Sequence, residues 1–308
     1  MKNKVSVIGA GNVGASLAQM LAQAGICDVV LFDIAEGTPQ GKALDLSEAC
    51  PLWGSAASIV GTNDYADTAA SDVIVITAGL ARKPGMSRDD LLSANAKIVA
   101  GVAENTAKLS PGAVIIAVTN PMDVMAQVCL RTTGFAPQKV IGMGGVLDSA
   151  RFRTFVAREV GVSPQDVEAL VLGGHGDLMA PMPRFTTVKG VSITELMSEQ
   201  RISALVDRTR NGGAEIVALL KTGSAYYAPA ASAYQMVKAV LFDEKRMLPC
   251  AAYLNGEYGA KGIYTGVPVI IGKGGVQKII ELELNEQEKK DFKNSAEAVR
   301  TLVEKLHL

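Results

Sequence analysis

Along the first 145 residues, short runs of consecutive apolar side chains alternate with longer stretches in which apolar positions recur every three or four residues. The first pattern marks strands buried on both faces, and the second marks helices that bury one face. Strands are predicted at residues 5–8, 29–33, 73–77, 113–118 and 139–141, with a short extended piece at 58–60. Helices are predicted at 13–24, where Leu17, Met20 and Leu21 share a face, and at 38–50, 91–109 and 122–132. Such alternation with short links predicts an α/β fold built on a doubly wound parallel sheet. The second half changes character. A helix over about 146–160 opens it, and 167–172 and 184–188 read as strands of an antiparallel or mixed sheet. Helices are predicted at about 194–220 and 229–241, and strands at 249–254 and 267–271. The stretch 286–306 is amphipathic, with Phe292, Ala296, Val299, Val303 and Leu306 at helical spacing. The expected division is 1–145 and 146–308, with no linker, repeat or low-complexity tract between the halves and a large interface joining them.

Composition narrows the function classes. Apolar residues make up 48% and charged residues 20%, ordinary for a soluble globular chain. A net charge of −1 and the lack of any basic run speak against a nucleic-acid partner. The longest apolar runs, such as 113–118, fall far short of a membrane span, so no membrane partner is expected. Lys2 and Lys4 precede an apolar run, but the glycines that follow it favour a buried strand over a signal peptide. Cys27, Cys50, Cys129 and Cys250 are scattered without paired spacing, which predicts reduced thiols in a cytoplasmic protein. With two histidines, one of them penultimate, and no cysteine cluster, no metal site is expected.

The chemistry concentrates in a few segments. Gly9-Ala10-Gly11-Asn12-Val13-Gly14 lies between a predicted strand and a predicted helix. In that setting the first glycine permits a tight turn, the second lets a pyrophosphate approach the backbone, and the third lets helix and strand pack closely. Asp33 ends the second strand, where a carboxylate accepts from both ribose hydroxyls and repels a 2′-phosphate, favouring NAD over NADP. Thr77-Ala78-Gly79 and Asn120 close further strands at the same sheet edge.

His175, in Gly173-Gly174-His175-Gly176-Asp177, is the one internal imidazole. It either caps a turn after a strand or carries protons near neutral pH. Arg82 to Arg88 form a polar loop with a glycine and a proline before a helix, the composition of a mobile lid. Asp148 and Arg151 share a helix face. They form either a simple ion pair, or a pair in which Asp148 holds His175 while Arg151 grips a carboxylate as a two-pronged fork. Spacing leaves both open.

Together, the segments 9–14, 120–121, 147–152 and 173–177 resemble the lactate/malate dehydrogenase family, in order and over nearly the whole chain. The lid segment is similar to that of malate dehydrogenases of the lactate-dehydrogenase-like branch. The resemblance implies a Rossmann NAD-binding half and a C-terminal α+β substrate half. It implies NAD as cofactor, contacted by Gly9, Gly11, Asn12, Val13, Gly14, Asp33, Thr77, Ala78, Gly79, Asn95, Val118 and Asn120. It implies His175 as proton acceptor and donor, Asp148 as its support, and Arg151 on the substrate's C1 carboxylate. Arg88 would polarise the reacting carbonyl, Asn120 would touch substrate and nicotinamide ribose, and Arg82 would meet a second carboxylate. That combination implies reversible oxidation of (S)-malate to oxaloacetate, in a homodimer or homotetramer. Leu178 departs from the family's usual hydroxyl residue, and Ser224 matches its small residue beside the substrate methylene. The alternatives are a lactate or other 2-hydroxy acid dehydrogenase, a nucleotide sensor without catalysis, and an NAD-dependent glycosidase. The last uses a metal held by Cys and His, for which no cluster is present.

Overall fold

The computed structural model describes residues 3–80 and 87–306. Arg82 lies outside the described residues, as does the side chain of Arg88.

The chain opens with β1 (Lys4–Ile8), α1 (Asn12–Ala24), β2 (Asp28–Phe32), α2 (Thr38–Ala49), β3 (Ile59–Thr62), β4 (Val73–Ile76) and α3 (Arg88–Leu109). It continues through β5 (Val114–Ala117), α4 (Met122–Thr133), β6 (Val140–Gly142) and α5 (Gly145–Val160). The six strands lie in the order β3-β2-β1-β4-β5-β6, all parallel. Alternation across the sheet sets two cores. Val73 and Val75 of β4 face one core with Val5, Val7, Leu17 and Leu21, while Ile74 and Ile76 face another with Leu92, Val99 and Val124. Local signals end the helices: Gly25, Gly134 and Gly161 stop α1, α4 and α5 in the left-handed conformation. Ser87 and Asp90 form a capping box that starts α3.

The second half adds β7 (Val167–Glu168), β8 (Val171–Leu172), β9 (Ala180–Pro181), β10 (Thr187–Val188) and β11 (Val191–Ser192). Helices α6 (Ile193–Leu196), α7 (Glu199–Leu220) and α8 (Tyr227–Leu241) follow. Then come β12 (Arg246–Asn255), β13 (Lys261–Gly272), β14 (Gly275–Ile279) and α9 (Glu286–Glu304).

Three predicted features differ. The strand expected over 167–172 is broken in two, because β7 pairs with β10 and β8 with β9. In the stretch 184–188 only Thr187–Val188 is extended, since Pro183–Phe185 coil into a 3₁₀ turn. The helix expected over 194–220 breaks at Met197 and Ser198, the latter being the N-cap of α7. A further finding is that β12, β13 and β14 join the parallel sheet, antiparallel, through β6 to give nine strands. The junction pairs Gly142 with Ala251. A Cβ on Gly142 would stand 2.1 Å from Met122 Sδ and 2.9 Å from Ala251 Cβ, so only glycine lets the new strand close in. The four cysteines are buried and none forms a disulfide among the described residues.

Candidate active site

The glycine-rich turn joins β1 to α1. Gly9 has φ +112°, and its N–H donates to Phe32 O. A Cβ on Gly14 would stand 1.8 Å from Gly9 O, so helix and strand approach as closely as backbones allow. At Gly11 a Cβ would meet nothing within 4 Å. Packing therefore demands Gly9 and Gly14, whereas the space over Gly11 lies open at the start of α1. No side chain caps that helix end, so the backbone N–H groups of Asn12 and Val13 are presented to an anion. This cradle fits the pyrophosphate of a dinucleotide.

Neighbouring strand ends complete the edge. Asp33 accepts from Ala10 N at 2.7 Å and from Ala35 N at 3.0 Å, tying the glycine turn to β2. Lys42 donates to Ala10 O. Thr77 Oγ1 donates to Ile8 O and Gly9 O, and Thr119 Oγ1 donates to Ala78 O. Gly79 is held so closely that a Cβ would stand 2.4 Å from Thr119 Cγ2. Val118 is buried and Asn120 exposed at the end of β5. Asn95 is only 1% exposed. Its amide closes on Leu80 N, Leu80 O and Asn120 O, so within the chain it latches two loops together.

Two strands along, His175 stands over the end of β6, where a Cβ on Gly144 would lie 3.0 Å from His175 Cβ. His175 Nδ1 is 2.8 Å from Asp148 Oδ2, and Arg151 donates to Asp148 Oδ1 at 3.1 Å. The His175 and Arg151 side chains are each 13% exposed and that of Asp148 is 2% exposed, so the three act in a low dielectric. The structure combines the two arrangements open for Asp148: it forms the ion pair with Arg151 and also holds His175. Burial pushes the His175 pKa down, but the charge and hydrogen bond of Asp148, helped by the charge of Asp123, outweigh it and raise the pKa overall.

Several contributors were not legible in the sequence. Asp123 Oδ2 accepts from His175 N at 2.8 Å, and Ser295 Oγ accepts from Gly174 N at 2.8 Å. Gly212 and Gly213 sit inside α7 against Arg151, where a Cβ on Gly212 would lie 3.2 Å from Arg151 Cδ. Arg151 Nε is buried without a hydrogen-bond partner among the described residues. The one available signal for Asp123 was its acidity in the otherwise apolar start of α4. Leu178 is exposed and displaces nothing at the histidine. A cavity of about 450 Å³ bounded by Ser149, Arg153, Ser232 and Arg246 contains none of the three catalytic candidates. Among the described residues no cluster of metal-binding side chains occurs and no helix is long and apolar enough to cross a membrane.

Residues 3–142 match the NAD binding domain of lactate/malate dehydrogenase, and residues 145–307 match the alpha/beta C-terminal domain of the same proteins. The chain belongs to the lactate/malate dehydrogenase family. Family membership makes it an NAD-dependent oxidoreductase, in keeping with the open cradle at Gly11. It is 60% identical over 302 residues to the malate dehydrogenase of Rhodopirellula baltica, covering 97% of this chain and 96% of that one. The solved malate dehydrogenase from Salinibacter ruber superposes with a TM-score of 0.95 at 50% identity, covering 99% of this chain and 97% of the other. A lactate dehydrogenase from Cryptosporidium parvum, solved with lactic acid and NAD, superposes with a TM-score of 0.97 at 45% identity, covering 100% and 98%. Both activities thus occur on this backbone, and substrate choice must come from side chains.

Proposed function

We propose that the protein interconverts (S)-malate and oxaloacetate, (S)-malate + NAD⁺ ⇌ oxaloacetate + NADH + H⁺, with His175 moving the proton. The observation that carries this reading is the His175–Asp148–Arg151 constellation, one carboxylate bonded to an imidazole and a guanidinium at 2.8 and 3.1 Å. NAD supplies the hydride acceptor, bound by residues 1–145, while 146–308 provide the catalytic groups.

The roles follow from the geometry. Asp148 occupies His175 Nδ1, which leaves Nε2 to take the substrate hydroxyl proton in oxidation and return it in reduction. Asp148 also favours the imidazolium that forms. Arg151 shares that carboxylate with the imidazole, and its fork suits the C1 carboxylate of the substrate. Gly212 and Gly213 leave room for that fork beside α7. By family resemblance, and not from described geometry, Asn120 and Arg88 contact substrate in this reading, and Arg82 meets its second carboxylate. Oxaloacetate brings a carboxylate to each of Arg151 and Arg82. Pyruvate would leave Arg82 unpaired, and an unpaired charge in a closed site costs several kcal/mol.

The fine assignments rest on the same footing. Buried thiols without disulfides fit a reducing, cytoplasmic compartment. Exposed apolar residues such as Ile34, Leu52, Leu219 and Tyr227 fit a homodimer or homotetramer, which sedimentation would resolve.

Initial-rate NADH oxidation with oxaloacetate and with pyruvate tests the substrate. Oxaloacetate should win by orders of magnitude, and Arg82→Gln should move the ratio toward pyruvate. Equal rates on both acids in the parent would refute the dicarboxylate assignment.

A further inference from the structure

Asp123 is a buried carboxylate to which the proposed reaction assigns no role. It sits in the first turn of α4, 3% exposed, and its Oδ2 accepts the His175 backbone N–H at 2.8 Å. Its Oδ1 is buried with no hydrogen-bond partner among the described residues. The loop that carries His175 is fixed from three sides. Gly173 exchanges two hydrogen bonds with Gly266 of β13, Gly174 N is held by Ser295 of α9, and His175 N is held by Asp123 of α4. Two of these anchors are neutral. To hold one N–H, a neutral acceptor would suffice, and it would avoid the desolvation of a charge. A carboxylate with one oxygen unpaired is an expensive choice for a purely mechanical task.

We propose that Asp123 is a positioning residue that clamps His175 from behind and supplies a second negative charge to its imidazolium. Asp148 grips the ring and Asp123 grips the backbone of the same residue, from different helices. The inference deepens the reading of His175 as the proton carrier and rests on it for its catalytic meaning, but the electrostatic claim can be checked without substrate.

The charged groups acting on the imidazole are Asp148 and Arg151 from α5 and Asp123 from α4. From α9 the loop meets the Ser295 hydroxyl, and from β13 the backbone of Gly266, neither of which titrates. Arg151 opposes the imidazolium and Asp148 favours it. Asp123 therefore helps decide the balance. Burial pushes its own pKa up to about 6, and the His175 N–H bond and the His175 charge work against that rise.

The test uses the chain's scarcity of histidine. With two histidines in all, His175 and His307, the ring resonances of histidine-labelled protein can be assigned with one His307→Gln variant. In Asp123→Asn, which keeps an acceptor for the His175 N–H and removes the charge, the His175 titration should move down by roughly half a unit or more. The His307 titration should stay in place. The acid limb of kcat/KM for malate should move in the same direction by the same amount, with KM for NAD⁺ unchanged. Asp123→Ser, smaller and also neutral, repeats the measurement should the asparagine fail to fold. A His175 titration that stays put in a folded neutral variant overturns the proposal and leaves Asp123 as a mechanical anchor. A shifted titration in the variant, with the parent protein inactive on both oxaloacetate and pyruvate, leaves the charge clamp standing and refutes the reaction instead.

Discussion

At the scale of single residues, the site is a set of charges whose burial makes each depend on the others. Burial works against the imidazolium at His175, yet the carboxylate of Asp148 wins and lifts its pKa above 6.5. In the proposed reaction, oxidation of malate needs the neutral ring, so kcat/KM for malate should climb as pH passes the His175 pKa, while oxaloacetate reduction should decline there. Asp148→Asn should bring that limb to lower pH and cut turnover by about 10²-fold or more, as read from pH–rate profiles. An unmoved limb would separate Asp148 from the proton. The same shift is a stability statement. His175 strengthens the fold below its unfolded pKa and loses that contribution as pH rises through the folded value. Asp123 has the same sign, because its pKa is raised from 3.8 to about 6. Its neutral form suits the fold, and by pH 8 its ionisation costs at most about 3 kcal/mol. The melting temperature of Asp123→Asn should therefore gain on the parent between pH 5 and pH 8. A difference independent of pH would mean that the carboxylate is not desolvated as its burial implies. Such a trade of stability for function is common at catalytic centres.

At the scale of elements, the turn from β1 into α1 separates two duties that look alike in sequence. Gly9-Ala10-Gly11-Asn12-Val13-Gly14 reads as three equal glycines, yet only Gly9 and Gly14 are demanded by packing. Gly14→Ala would drive a methyl to 1.8 Å from Gly9 O and should cost about 1–3 kcal/mol or more, measured by urea unfolding. Gly11 has φ −67° and open space, so Gly11→Ala should cost under about 1 kcal/mol while weakening NADH binding at least about tenfold, measured by fluorescence titration. Equal stability losses in the two variants would contradict this division. The parallel strands were legible because a short, unbroken apolar run such as 73–76 suits a sheet covered on both faces and little else. The doubly wound parallel sheet followed from strand–helix alternation, whereas the order of its strands came from the structure. The break of 167–172 was not legible, since β7 and β8 take different partners far along the chain. Nor were Asp123, Ser295 or the Gly212–Gly213 recess, whose importance lies in contacts across 52, 121 and about 60 residues of separation, invisible to any local period. Asn95 was expected among the cofactor contacts, and its amide is spent on Leu80 and Asn120 within the chain.

For the molecule as a whole, the last helix joins parts that the sequence order keeps apart. Phe292 and Ala296 of α9 enter the core on one side of the nine-stranded sheet, while Leu302 and Val303 pack against the core on the other. The helix begins with a capping box of Asn285 and Glu288, and Glu288 also takes a two-pronged bond from Arg184. Ser295 then reaches the loop of His175. Phe292→Ala should lower unfolding free energy by about 3–5 kcal/mol without splitting the urea transition in two. A separate early phase would show that the two cores melt independently. The shared sheet has a last consequence through the four thiols sealed beneath it. Burial pushes Cys129 up to about 12 and Cys250 higher still, so neither is a nucleophile while the molecule stays shut. A thiol-specific alkylating agent finds no exposed cysteine among the described residues until the protein opens, and the pace of its labelling becomes a clock for that opening.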